Sequence, residues 1–311
     1  MRSLLKRFTV LVGVTSILTG QASAGCPLAA PAAPSMFGSL SAKYPDQAKP
    51  DSIHYQNVAG DAVFQGDIIL GKTNDLRRLS QAKALGVSRG FATTDMRLQP
   101  FGETERGIRL WPGATVPYQI DPALGTVAAL VRQAMQAWSD RTGKIKFAEV
   151  TPANAGSHGS NLVYFTVGQD PRACLSQGLG MIGGRQFVKL VSGCEYGQIL
   201  HEIGHVLGLQ HEQNRTDRNR FVDIFRANID PDYLYAFDIS RGAVDVGNYD
   251  LDSTMHYEAT AFACDRSKPT IQVKPVLPPG TVPLPPGGVV GQRTHISDGD
   301  VRTILRLYQN A

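Results

Sequence analysis

The chain has 311 residues, of which 42% are hydrophobic, and its formal net charge is +4. This length exceeds that of a minimal domain and is sufficient for a sizeable core. The small, scattered charge argues against nucleic acid as a partner, and no segment is a long enough apolar run to span a bilayer.

The N-terminus has the pattern of a secretory signal peptide. Three basic residues among the first seven precede an apolar stretch, residues 8–18, and an A-x-A cleavage site follows at residues 22–24. The apolar stretch is too short for a membrane span. We therefore expect residues 1–24 to be removed and the protein to be secreted, either to the periplasm or to the extracellular medium.

Cys26 lies just beyond this site and raises the alternative of a lipoprotein. A lipobox has a large aliphatic residue three positions before the cysteine, whereas this chain has Ser23 there. Four cysteines in an exported chain favour disulfides. The N-terminal pattern and the cysteines together therefore indicate a secreted, disulfide-bonded protein.

Residues 25–106 are rich in alanine, proline and polar residues, and no convincing long amphipathic helix is evident there. We interpret them as a prosegment. They contain the sequence Phe64-Gln65-Gly66-Asp67, which taken alone favours a Gly-Asp turn between apolar strands at residues 62–64 and 68–70.

The following region alternates strand and helix patterns. One predicted helix in this region has apolar residues at helical spacing and ends at Gly143. Strands are predicted at residues 116–120, 145–150, 161–165 and 187–191, and a helix at 128–141. The pattern indicates an α+β fold with a mixed sheet and two long helices in its N-terminal half.

The C-terminal half is irregular and ends in a helix from about residue 297 to 309. Ser297 or Asp298 is expected to cap this helix. The side chains expected to point inward are Val301, Ile304, Leu305 and Tyr308.

The most informative stretch is His201-Glu202-Ile203-Gly204-His205, followed by Gly208 and His211. Residues four apart lie on one helix face, so His201 and His205 can bind one ion. Gly208 permits a left-handed exit from the helix that would return His211 to the same ion. Glu202 is then placed beside the metal as a general base.

Two less informative interpretations of these histidines compete with catalysis. Surface histidines without a metal would not account for the extended motif, which also fixes the glycine and the third histidine. A structural zinc usually has four protein ligands, often cysteines. Three histidines leave one position open beside a carboxylate, which is a catalytic arrangement with one Zn²⁺ per chain.

The flanking residues resemble the astacin family of zinc metalloendopeptidases, in the metzincin clan. The resemblance rests on the run from His211 to Arg218 (HEQNRTDR) and on Ser253-Thr254-Met255-His256-Tyr257, which is similar to the family's Met-turn. It covers roughly residues 111–308. It implies a zincin-like catalytic domain with a twisted, mixed five-stranded sheet and an irregular lower half.

The resemblance also implies a domain layout. The catalytic domain would span residues 107–311, with an upper half at about 107–208 and a lower half at about 209–311. Cleavage before Gly107 would create an N-terminus that becomes buried and contacts Glu212 through water, although other arginines nearby offer alternative sites.

Further site residues follow from the resemblance. Tyr257 would ligate zinc in the resting enzyme and donate its hydroxyl to the developing oxyanion. The segment containing Asp67 resembles the family's Phe-x-Gly-Asp motif, in which the aspartate ligates zinc and keeps the proform latent. Cys26 is a rival zinc ligand for that role.

Arg293 is a candidate for the S1′ pocket, where it would favour acidic residues after the scissile bond. The alternative is a surface arginine.

The position of Cys174 and Cys194 resembles one of the two family disulfides, while the cysteines of the other are missing. Cys26 and Cys264 remain, and whether they pair, stay free or bond elsewhere is open. In metzincins an extended substrate pairs with an edge strand, expected here at residues 175–179.

The function indicated is a secreted zinc endopeptidase made as a latent zymogen. Its partners would be protein or peptide substrates and an activating protease, with no nucleic acid and no membrane span, and the chain would be a monomer. The alternative is a secreted protein that binds zinc without proteolytic activity. Retention of Glu202 argues against it, since an inert site does not need a base.

Overall fold

Five strands from the region after residue 107 form the mixed sheet that the sequence predicted. The computed structural model describes residues 37–42, 51–84, 108–154, 160–240 and 243–311. These strands are β5 (Thr115–Ile120), β6 (Lys146–Glu149), β7 (Leu162–Val167), β8 (Leu175–Gln177) and β9 (Arg185–Leu190). Their order in the sheet is β8-β9-β7-β5-β6, and only β8 runs antiparallel to its neighbour, β9.

Four strands lie upstream of these five: β1 (Phe37–Ala42), β2 (Asp51–Val58), β3 (Asp61–Phe64) and β4 (Ile68–Lys72). Each is antiparallel to the next. They extend the sheet to nine strands, because β4 pairs in parallel with β8. The turn between β3 and β4 is the Gly-Asp turn expected from the sequence.

Residues 25–106, in which no convincing long amphipathic helix was expected, include a helix of average length that is mostly polar. Helix α1 (Thr73–Ala84) has 12 residues and follows β4 directly. Its sequence is mostly polar, so it lacks the wide apolar stripe by which helices are recognised. Leu76 is its deeply buried anchor, 2% exposed, in a small core with Ile53, Tyr55 and Leu70.

Helices α2 (Val127–Thr142) and α3 (Tyr196–Val206) pack against each other in the main core. Trp111 and Trp138 are both fully buried, and each indole N–H donates to a carbonyl of α3, at Val206 (2.9 Å) and Leu200 (3.1 Å). These bonds fix the height and rotation of α3, which carries the first two histidines.

The C-terminal half is irregular, as predicted. It contains the two-stranded pair β10 (Val222–Ile224) and β11 (Ile271–Val273), and it ends in α4 (Asp298–Leu307). Ser297 caps α4, since its hydroxyl accepts from the Asp300 N–H at 2.9 Å.

One inward position predicted for α4 is wrong. Ile304 and Tyr308 are fully buried and Val301 packs against the core, but Leu305 is 39% exposed. Leu305 lies about 100° around the helix from Ile304, at the edge of the apolar stripe that faces solvent rather than the core.

Cys174 and Cys194 form a disulfide, in agreement with the family pattern. Cys264 is also disulfide-bonded. Cys26, the remaining cysteine of the sequence, lies outside the described residues, as do the expected signal peptide and the expected cleavage position before Gly107. Among the helices that are described, none is long and apolar enough to cross a membrane.

Candidate metal centre

The helix that carries the first two histidines begins and ends at defined signals. Glu195 and Gln198 form a reciprocal capping box at the N-terminus of α3. After Val206 the chain turns through Gly208, whose φ of +104° lies in the left-handed range. This turn returns His211 to the first pair, and the three imidazole centroids lie 4.7–5.2 Å apart.

Each histidine uses its Nδ1 atom for a hydrogen bond, which leaves Nε2 for the centre of the site. The acceptors are the Thr254 carbonyl for His201 (2.8 Å) and the Leu209 carbonyl for His205 (2.8 Å). The proton is therefore assigned to Nδ1 of both rings, because a carbonyl oxygen can only accept. Such outer hydrogen bonds orient imidazoles that bind metal ions.

The third histidine is oriented from upstream. The His211 Nδ1 atom lies 3.2 Å from Oε1 of Gln65, whose Nε2 atom donates to the Ser240 hydroxyl at 3.0 Å. Gln65 is 1% exposed and has φ of +48°. Gln65 stands at the position that the Phe-x-Gly-Asp motif leaves unspecified, so the sequence indicates no role for it.

Asp67 lies among the three Nε2 atoms. Its Oδ2 atom is 3.1 Å from Nε2 of both His201 and His211, and its Oδ1 atom is 3.6 Å from Nε2 of His205. Gly66 permits this approach, because a Cβ there would lie 2.7 Å from the Phe262 ring. The structure thus brings together the four side chains expected to ligate zinc in a latent form.

This donor set fits a zinc ion. One ligand atom from each of the four residues lies within 4.8 Å of the others, and the buried atoms His205 Nε2 and Asp67 Oδ1 have no hydrogen-bond partner. Burial lowers the pKa of His201 to about 3, so this imidazole is neutral and has a free lone pair at neutral pH. Three imidazole nitrogens and one carboxylate oxygen are ligands that Zn²⁺ prefers.

Charge among these groups favours an ionised Asp67. Burial alone would raise its pKa, but the charge of His211 and the close polar contacts with the three histidines hold the pKa of Asp67 well below its usual range. Glu202 follows His201 on α3 and is 2% exposed. Burial, reinforced by the charge of Asp67, raises the pKa of Glu202 well above its ordinary value, and its Oε2 atom has no hydrogen-bond partner.

The turn around Met255 supports the site from below. The Sδ atom of Met255 lies directly against Gly204, where a Cβ would collide with it. Asp300 holds the turn, since its carboxylate accepts from the Ser253 hydroxyl at 2.6 Å and from the Thr254 N–H at 2.9 Å. The sequence analysis does not identify Asp300, because its partners Ser253 and Thr254 lie more than 40 residues upstream.

Tyr257 is 4% exposed, and its ring centroid lies 4.7 Å from that of His211. Its hydroxyl donates to the backbone carbonyl of Gln65. Arg293 lies nearby: its Nη1 atom donates to the His256 carbonyl at 3.0 Å, and its charge lowers the pKa of Tyr257, although burial raises that pKa overall.

A cavity of about 620 Å³ lies behind His211, and its lining includes Glu212, Asp250, Ile108 and Leu110. Burial raises the pKa of Glu212 to about 8, although Arg215 opposes this. Burial and the neighbouring charge of Asp300 raise the pKa of Asp250 to about 6. The cavity is therefore lined by acidic groups that lack full compensation by cations.

Comparison with known proteins agrees with this geometry. The family model for astacin, a peptidase family, matches residues 103–309. Bone morphogenetic protein 1 of Xenopus laevis is 30% identical over 290 residues, which cover 83% of this chain and 38% of that protein. The dorsal-ventral patterning protein tolloid of Drosophila melanogaster is 38% identical over 215 residues, which cover 67% of this chain and 19% of that protein.

The chain thus spans less than two fifths of the length of these relatives. Among solved structures, high choriolytic enzyme 1, a hatching enzyme zinc-protease of the medaka Oryzias latipes, matches with a TM-score of 0.52 and 29% identity, covering 65% of this chain and 94% of that one. The chain belongs to the astacin family of peptidases, whose family model matches residues 103–309.

Proposed function

We propose that this protein is a secreted zinc endopeptidase that is synthesised as a latent zymogen. The observation that carries the proposal is the Asp67 carboxylate, which lies within 3.1–3.6 Å of Nε2 of all three histidines. Residues 1–24 would be a signal peptide, 25–106 the prosegment and 107–311 the catalytic domain. The product would reach the periplasm or the medium and act as a monomer.

Latency would have two physical causes. Asp67 occupies the coordination position that a water molecule needs, and its tether to the domain gives it a high effective concentration. In addition, β4 pairs with β8 through Ile68 and Ile69. Strand β8 is the edge where an extended substrate is expected to pair, so the prosegment also blocks substrate.

Activation would follow cleavage by another protease before Gly107. The new N-terminus would lie next to Ile108, which lines the cavity beside Glu212. An α-ammonium group there would add a second positive charge beside the buried Glu212, whose ion pair with Arg215 is 3.6 Å long, and it would bring the pKa of Glu212 back toward its ordinary value. Burial of the new terminus would thereby stabilise the matured domain.

In the active enzyme His201, His205 and His211 would hold the zinc ion, which when bound polarises the substrate carbonyl and acidifies water. Glu202 would accept a proton from the attacking water and pass it to the leaving amine, and its raised pKa suits a group that must do both. After the prosegment leaves, the Tyr257 hydroxyl loses its acceptor, the Gln65 carbonyl. It would then be free to ligate the metal at rest and to donate to the oxyanion.

Arg293 would contribute to specificity on the primed side of the cleft. Its backbone lies against Gly197 at the start of α3, and its charge lowers the pKa of Glu202, although burial raises that pKa overall. A guanidinium there would favour acidic residues after the scissile bond. Cleavage of a peptide library that is indifferent to Asp or Glu at that position would contradict this assignment.

The substitution Glu202→Gln tests the endopeptidase function. It keeps the size of the side chain and removes the base, so the matured enzyme should retain one zinc ion and lose proteolysis by about 10²–10⁴-fold. The measurements are metal content and kcat/KM on a fluorogenic peptide. Glu149→Gln, which changes a half-exposed glutamate on β6, should leave both unchanged.

Undiminished proteolysis by the Glu202→Gln enzyme would refute the mechanism. A matured wild-type protein that binds zinc but cleaves no peptide would instead favour the second candidate, a zinc-binding protein without catalytic activity.

A further inference from the structure

The segment that carries Asp67 also contacts the catalytic domain at a point away from the histidines. Asp61, at the start of β3, is 4% exposed, and each of its carboxylate oxygens meets a lysine. Lys72 donates to Oδ1 at 2.7 Å, and Lys189 donates to Oδ2. Lys72 belongs to the same segment as Asp61 and its side chain is 59% exposed, whereas Lys189 lies on β9 and is 17% exposed. The Asp61–Lys189 ion pair is therefore largely buried and crosses between the two parts of the chain.

The contacts around this ion pair require no metal. The Ser176 N–H donates to the Asp67 carbonyl at 3.0 Å, and the Gly178 N–H donates to the Ile69 carbonyl at 3.1 Å. Val63 and Ile69 pack with Leu175 of β8 in a buried apolar cluster. Backbone pairing and apolar burial thus place Asp61 opposite Lys189 independently of the histidines.

On the prosegment side, all of these contacts are made by residues 61–72. The proposed cut lies further along the chain, between residues 84 and 108. Residues 51–84 also have a small core of their own, built on Tyr55 and Leu76. A cut between residues 84 and 108 therefore breaks none of the contacts described.

We propose that the Asp61–Lys189 ion pair is a second, zinc-independent attachment that keeps the prosegment bound to the catalytic domain after the connecting segment has been cut. The ion pair must be broken before the prosegment separates. The inference rests on the proposed function only in treating residues 25–106 as a prosegment. Removing Lys189 leaves the buried Asp61 carboxylate with only the exposed Lys72 as a cation, and the loss of a buried partner is costly for the associated state.

The test uses the full-length chain with a recognition sequence for a specific protease inserted within residues 85–107. Cys26→Ser and Cys264→Ser exclude a covalent link through these cysteines, and Asp67→Ala removes the carboxylate that lies among the three histidines. The cut protein is passed over a size-exclusion column, and the dissociation constant of the N-terminal fragment is measured by dilution. Lys189→Met is compared with Lys72→Met, the matched control that removes the other cation from the same carboxylate.

The fragment should co-elute with the catalytic domain in the parent and in Lys72→Met. Lys189→Met should raise its dissociation constant by roughly 30-fold or more, while Lys189→Arg, which keeps the cation, should retain it. If Lys189→Met does not fold before cutting, as judged by near-ultraviolet circular dichroism, Lys189→Gln replaces it. Separation of the parent fragment at micromolar concentration, or equal effects of the Lys189 and Lys72 variants, would overturn the proposal.

Retention is read without catalysis, so the two proposals fail in distinguishable ways. A matured protein that cleaves nothing contradicts the proposed function but leaves the chromatography interpretable. A fragment that separates freely from a fully active enzyme contradicts only the second attachment.

Discussion

At the scale of single residues, the site depends on which ring nitrogen each histidine uses. Carbonyl acceptors at Thr254 and Leu209 hold Nδ1 of His201 and His205, while the amide of Gln65 contacts Nδ1 of His211. Two of the three orienting groups therefore lie downstream of residue 107, and the third would leave with the proposed prosegment. The surroundings of His211 would then change on activation.

Asp67→Ala should make the uncut precursor partly active. The change frees the coordination position, so activity on a short fluorogenic peptide should rise by roughly 10-fold or more over the wild-type precursor. It should stay below that of the matured enzyme, because β4 still occupies β8. Asp75→Ala, on α1 of the same segment, serves as the control. A precursor that gains no activity without Asp67 would refute its inhibitory role.

Tyr257→Phe should lower kcat/KM of the matured enzyme by about 10²-fold, since it removes one donor to the oxyanion and keeps the ring that packs on His211. Zinc content should not change. Tyr164→Phe, a hydroxyl removed from β7, is the matched comparison. Wild-type kinetics in the Tyr257 variant would assign this side chain to packing alone.

At the scale of elements, the strands and helices of the catalytic domain were predicted where local pattern and tertiary environment agree. Helix α2 was predicted at residues 128–141 and spans Val127–Thr142, because apolar spacing and the glycine that ends it point to the same bounds. The histidine helix was equally clear, since its chemistry requires residues at fixed helical spacing.

Elements whose burial depends on distant partners were not predicted. Helix α1 is mostly polar and is anchored by Leu76 in a core supplied by other strands, so its own sequence gives a weak signal. Likewise, no local pattern indicates that Asp61 contacts Lys189, 128 residues further along the chain. The role of Asp300 was not predicted either, because its contact with the turn at Ser253 joins residues 47 positions apart in the chain.

The carboxyl group of Glu212, which directly follows the third histidine, should make the stability of the precursor depend on pH. The folded-state pKa of Glu212 is raised to about 8 by burial. Its contribution to stability is therefore fully present below its ordinary pKa and is lost as pH rises through about 8. Relative to Glu212→Gln, the wild-type precursor should lose up to about 1.4 kcal/mol of unfolding free energy per pH unit between pH 5 and 8.

Urea denaturation of both precursors across this pH range measures the effect. In the matured enzyme the difference between the two proteins should shrink, because the new ammonium group would compensate the ionised carboxylate. Parallel pH profiles for wild type and Glu212→Gln precursors would show that this carboxyl does not titrate abnormally.

At the scale of the whole molecule, four strands within residues 37–42 and 51–72 join the sheet formed by β5–β9. They do so through the pairing of β4 with β8, so one continuous sheet holds both the strands that flank Asp67 and the edge expected to bind substrate. Metal access and substrate access would therefore be blocked by the same segment, and its removal would open both.

The most direct test of this account is the metal coordination of the purified full-length precursor, measured by X-ray absorption at the zinc edge together with metal content. We predict one zinc ion per chain, bound by three imidazole nitrogens and one carboxylate oxygen at about 2.0–2.2 Å, with the oxygen replaced by solvent in Asp67→Ala. A precursor without zinc, or one whose zinc ligands are unchanged when Asp67 is removed, would contradict it.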